Sequence, residues 1–80
     1  MKIKLLLFGI TSDLLKTPSI EVEISENSSV SDLKNTLVTK YPQLDKIASY
    51  AIAVNEEYAN DNVKLHQNDV VAIIPPVSGG

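Results

Sequence analysis

Residues 70–74, VVAII, form an uninterrupted apolar run that stops against Pro75 and Pro76. A strand with no polar face fits only where both of its faces are covered, in the middle of a sheet. The two prolines end it because they donate no ladder hydrogen bonds. The last strand must therefore return to the centre of a sheet built from earlier residues.

The earlier residues supply that sheet. Residues 2–8, KIKLLLF, read as a strand with Ile3, Leu5 and Leu7 on one face and Lys2, Lys4, Leu6 and Phe8 on the other. Gly9 breaks it, and a short helix is expected from Ser12, with Leu14 and Leu15 folding back before Pro18. Residues 20–24, IEVEI, alternate cleanly, as a half-buried antiparallel strand does. Ser29 reads as an N-cap, with Asp32 three residues on as a short capping box. Val30, Leu33, Leu37 and Tyr41 then recur at helical spacing, Val38 widens the stripe, and Pro42 disfavours helical geometry at Tyr41. Leu44 and Ile47 are expected to plug the core from a connector. A third strand is expected over 50–54, a turn around Asn55, a turn over 60–62, a short strand at 63–65 and a turn over 66–69. One helix crossing a mixed five-stranded sheet is the β-grasp architecture, of class α+β.

Eighty residues make one domain with a thin core. With no Cys, disulfides, thiolate metal sites and thiol nucleophiles are excluded, and one His cannot form a His-rich metal cluster. All seven basic residues are Lys, against ten acidic residues, and no basic face is evident. Nucleic acid is therefore not an expected partner. No apolar run approaches a membrane span, and the apolar stretch in MKIKLLLFGI is too short for a signal sequence. No membrane partner and a cytoplasmic location are the expectation.

The usual catalytic arrangements do not assemble. His66 lies in the polar turn HQND and reads as solvated. Glu56 and Glu57 are adjacent, so their carboxylates diverge on an extended chain, whereas acid–base work needs convergent groups. Gly9 stands alone, and Asp61 and Asp69 lack the spacing of a calcium loop.

What remains is the carboxyl end, PPVSGG, with a body over 1–74 and an extended tail over 75–80. Pro75 and Pro76 stiffen the exit, Val77 and Ser78 are small, and Gly79 and Gly80 have no side chains. A bland reading is a frayed terminus. The sharper reading makes the Gly80 carboxylate a travelling substrate. As an anion it is a poor electrophile and needs activation as a mixed anhydride with a nucleotide. Two glycines pass a narrow channel and let catalytic groups reach the carbonyl.

Here a resemblance becomes clear over the whole chain. LLLFG, the helix SVSDLKNTL, the segment AVNEEY and above all VVAIIPPVSGG resemble the small, sulfur-carrying subunit of molybdopterin synthase, a ubiquitin-like β-grasp family. Two departures are Asn68–Asp69, where the family more often has Gly-Asp, and the loop TSDLLKTP. The resemblance implies a flexible Gly-Gly tail and a cycle of reactions. A ubiquitin-activating-like adenylyltransferase uses ATP and magnesium to adenylate Gly80, and a sulfur donor enzyme converts it to a thiocarboxylate. The tail (Pro75, Pro76, Val77, Ser78, Gly79) threads into the large synthase subunit, in a heterotetramer, and sulfur passes to cyclic pyranopterin monophosphate to build the dithiolene of molybdopterin. The catalytic side chains then lie on the large subunit, and this chain binds no cofactor or metal itself.

The resemblance also implies that Tyr58 and Ile74 contact partners, so Phe8, Tyr58 and Ile74 are expected to form a patch beside the tail root. The alternative places Phe8 in the core. Other functions remain open at this point: a sulfur carrier for thiamine or transfer-RNA thiolation, a ubiquitin-like protein modifier, or an interaction module with an inert tail.

Overall fold

The computed structural model describes residues 1–46 and 50–75. Its elements are β1 (Lys2–Leu7), α1 (Ile10–Leu15), β2 (Ser19–Glu23), α2 (Val30–Lys40), a 3-10 helix (Pro42–Lys46), β3 (Ala51–Val54), β4 (Glu57–Ala59) and β5 (Val70–Ile74). The sheet order is β2-β1-β5-β3-β4, so the last strand lies at the centre. β5 runs parallel to β1 and antiparallel to β3, while β2 and β4 are antiparallel outer strands. This is the mixed five-stranded β-grasp with one main helix.

Alternation in β1 and β5 separates two faces. Ile3, Leu5, Leu7, Val71 and Ile73 are buried and join Val30, Leu33 and Leu37 of α2 in the core. Leu44 plugs one end from the 3-10 helix, as expected; Ile47 lies outside the described residues. Val22 and Ile24 are buried and Ile20 packs against the same cluster.

The helix boundaries follow from local chemistry. Ser29 is the N-cap of α2: the backbone N–H of Asp32 donates to Ser29 Oγ at 3.3 Å, and the Ser29 N–H donates to Asp32 Oδ2 at 2.9 Å. The Ser29 N–H bond to Asp32 Oδ2 first, and then the bond that the Ser29 hydroxyl donates to the same oxygen at 3.2 Å, hold the Asp32 carboxyl below its ordinary range. The helix ends at Lys40, one residue before the Tyr41–Pro42 step. The first helix starts two residues earlier than expected. Gly9, at φ 54°, turns the chain directly after β1. Lys16 in left-handed geometry closes α1 before Pro18 is reached.

One strand is not where the sequence pattern put it. The fourth strand is Glu57–Ala59, paired with β3 through a two-residue turn, and residues 63–65 are not a sheet strand. That segment instead serves the N-terminus of α2, whose first N–H groups lack partners within the helix. Val30 N–H donates to the Val63 carbonyl at 2.9 Å and Ser31 N–H to the Asp61 carbonyl at 3.1 Å. Lys64 makes one isolated bridge with Ser29, and Leu65 is buried.

We expect Ser29→Ala to destabilise the protein by about 1 kcal/mol in urea unfolding, since it removes the cap of the main helix. The lowered Asp32 carboxyl contributes stability that is fully present above the ordinary carboxylate pKa. That contribution is lost as pH falls through the depressed value. Asp32→Asn should therefore flatten the acid limb of a stability–pH curve.

Candidate functional site

The outer face of the sheet, opposite α2, carries an apolar row across four strands. Leu6 on β1 is in register with Ala72 on β5, Ala72 with Ala53 on β3, and Ala53 with Tyr58 on β4. The two alanines on the middle strands are short and the residues at either end are large. The result is an open depression of about 580 Å³ with an alanine floor. Phe8 and Ile74 line it as well, at the end of the parallel β1–β5 pair where residue 75 leaves the sheet.

Phe8, Tyr58 and Ile74 thus line one concavity. Phe8 is 48% exposed and Tyr58 78%, so neither is a core residue. Burying either ring against a partner would remove a large apolar surface from water. Pro75 lies beside Gly9, where a methyl group on Gly9 would come within 3.2 Å of Pro75 Cγ. Of the tail residues, Pro76, Val77, Ser78, Gly79 and Gly80 lie outside the described residues.

Two polar clamps hold the rim, and neither was read from the sequence. Phe8 N–H donates to Thr11 Oγ1 at 3.0 Å, and the Thr11 hydroxyl donates back to the Phe8 carbonyl. Thr11 is fully buried, and these bonds tie the end of β1 to the start of α1. At the other end, the largely buried Asp69 carboxylate accepts from His66 N–H at 2.7 Å and from Asn55 Nδ2 at 3.0 Å. Asn55 also bonds β5 directly: its N–H donates to the Val70 carbonyl at 2.7 Å and its Oδ1 accepts Val70 N–H at 3.0 Å. The only sequence signals for these clamps were a polar residue after a strand and an Asx-rich turn. Their partners are set by folding.

The remaining chemical candidates stay apart. The His66 side chain is 80% exposed, and Glu56 and Glu57 are exposed. Among the described residues, no three His, Cys, Asp or Glu side chains gather as metal ligands, and no helix is long and apolar enough to cross a membrane. Asn68 adopts left-handed geometry at φ 69°, so the turn expected at Asn68–Asp69 forms without glycine. Lys34 bonds Asp61 at 2.9 Å and lies 5.7 Å from the centre of the Tyr50 ring, where burial pushes the phenol pKa up. That cluster joins α2 to the chain before β3 and stands apart from the depression.

The ThiS family model matches residues 5–80. The chain belongs to the ThiS family. It is 36% identical over 81 residues to the molybdopterin synthase sulfur carrier subunit of Arabidopsis thaliana, covering 100% of this chain and 84% of that protein. The protein of the same name from Mycobacterium tuberculosis is 37% identical over 82 residues, covering 100% and 99%. Among solved structures, a chain of the Helicobacter pylori complex of subunits 1 and 2 of molybdopterin-converting factor matches with a TM-score of 0.70. It is 26% identical and fully covered on both sides.

We expect Phe8→Ser to fold with a loss of less than about 1 kcal/mol, because the ring is half in water already. Leu5→Ala, on the inner face of the same strand, should cost about 2–5 kcal/mol. Paired denaturant titrations check both, and an unfolded Phe8→Ser protein would return Phe8 to the core.

Proposed function

We propose that this ThiS-family chain is the sulfur carrier subunit of a molybdopterin synthase. The observation that carries the reading is the coincidence of an apolar outer face with the root of a PPVSGG end, in a chain that relatives of that name match over its full length. The Helicobacter pylori complex supports a second subunit as the partner that takes the tail.

In this reading the body, residues 1–74, is a grip, and residues 75–80 are the working part. The Gly80 carboxylate attacks the α-phosphorus of ATP on a ubiquitin-activating-like adenylyltransferase that holds magnesium. Pyrophosphate leaves and an acyl adenylate forms. A sulfide equivalent from a sulfur donor enzyme adds to the carbonyl carbon and expels AMP, leaving a thiocarboxylate. The thiocarboxylate is the better nucleophile at neutral pH, as sulfur is more polarizable than oxygen.

The large subunit then receives the loaded tail. Pro75 and Pro76 stiffen the lead-in, Val77 and Ser78 are narrow enough to thread, and Gly79 and Gly80 leave the carbonyl unshielded. The thiocarboxylate sulfur bonds to a side-chain carbon of cyclic pyranopterin monophosphate as that carbon's bond to oxygen breaks and the oxygen leaves with the phosphate or as water, and a second water cleaves the acyl–sulfur bond to return the carboxylate. The dithiolene needs two sulfurs, so two loaded carriers serve each product, consistent with a heterotetramer. Acid, base and substrate-binding groups come from the large subunit, and this chain contributes position and sulfur without a cofactor of its own. ATP-dependent loading suits the cytoplasm.

Incubation with ATP, the activating enzyme and a sulfur source should raise the intact mass by the replacement of one oxygen with one sulfur at Gly80. Deleting Gly79 and Gly80 should abolish that change and all molybdopterin formation while leaving the thermal melt unaltered. No mass change with an activating enzyme proven on another carrier would end this reading. Adducts joined to lysines of other proteins would favour a protein modifier. A thiocarboxylate that serves only a thiazole synthase or a transfer-RNA thiolase would favour those pathways.

A further inference from the structure

The turn between β3 and β4 holds a conformation that its sequence does not favour. Asn55 and Glu56 are its two central residues, at φ 50° and 74°. A two-residue hairpin turn with both φ values positive strongly prefers Asn-Gly, because glycine has no Cβ to clash there. Asn55 tolerates the geometry; a glutamate has no such allowance. The strain persists because Asn55 is bonded to Val70 and Asp69 by three hydrogen bonds and Val54 pairs with Glu57 across the turn, so the turn is held closed on both sides of Glu56.

Glu56 lines the same depression as Phe8, Tyr58 and Ile74, at the opposite end from Pro75. Among the described residues lining it, Glu56 carries the one carboxylate, against a floor and walls that are otherwise largely apolar. A strained acidic side chain thus sits where a glycine would be more stable, on the rim of an apolar docking face.

We infer that Glu56 is the specificity-determining charge of this face: it selects a partner surface that sets a Lys or Arg beside the apolar side chain filling the depression. This deepens, and rests on, the reading of the depression as the docking site of the large synthase subunit. The apolar floor supplies contact area, which many apolar surfaces could exploit. The carboxylate supplies direction, because an unpaired charge on the rim disfavours a partner that offers an acidic or purely apolar edge.

The test is binding of the purified large subunit of molybdopterin synthase by calorimetry at low and high salt, with a thermal melt of each carrier variant. Glu56→Gln keeps the shape and removes the charge; it should weaken binding by about three- to tenfold at low salt. Glu56→Lys should weaken it further, and both losses should shrink at high salt. Glu56→Gly should melt a few degrees higher than the natural protein yet bind as weakly as Glu56→Gln. Natural affinity for Glu56→Gln and Glu56→Lys at both salts would overturn the inference while leaving the docking reading intact. A Glu56→Gly protein that melts no higher would also overturn it, by removing the strain. A natural protein that fails to bind the large subunit at all would overturn both.

Discussion

The arrangement depends on β5 lying between β1 and β3. Val71 and Ile73 have no exposed surface, and the strand is hydrogen-bonded along both edges. Its inner side chains meet the Val30, Leu33 and Leu37 stripe of α2, while Ala72 and Ile74 face outward. Because β5 is also the last element among the described residues, the chain leaves the sheet from its centre at Pro75, between the end of β1 and the start of β3. A terminal strand at a sheet edge would have released the tail away from the outer-face depression. The core, the outer-face depression and the tail root are consequences of one strand's position.

Such a small protein has little core to spare, so its rim is held by polar clamps as well as by packing. Thr11 locks the end of β1, and with it Phe8, through reciprocal bonds to one residue's backbone. Asp69 and Asn55 lock the other end by joining the β3–β4 turn to the entry of β5. Partly buried hydrogen bonds of this kind contribute modestly when made and cost more when one partner is left without the other. They give an open surface depression a defined shape before any partner arrives, which reduces the ordering that binding must impose.

Much of the fold was legible because its signals are local. The alternation in IEVEI, the Ser29–Asp32 capping pair and the helical spacing of Val30, Leu33 and Leu37 each depend on residues within a few positions of one another. The errors lie where distant residues compete. Residues 63–65 have strand-like composition, yet their backbone groups pair with the N-terminus of α2, which needed partners. Residues 57–59 look polar and weak as a strand, yet a strained turn folds them onto β3. For the site, period two put Phe8 on the face away from Leu5 and Leu7, but it could not exclude a core position for the ring.

The amino-acid order alone determined the first three strands, the main helix, the central place of VVAII and the chemical singularity of PPVSGG, because apolar patterning, proline and glycine act through short-range sterics and solvent exclusion. Only the tertiary structure decided that Leu6, Ala72, Ala53 and Tyr58 stand in one row, that Asp69 reaches Asn55, and that Glu56 is trapped at the rim. Strand register and long-range hydrogen bonds decided these. They are settled by the whole core at once, so no window of neighbouring residues contains them.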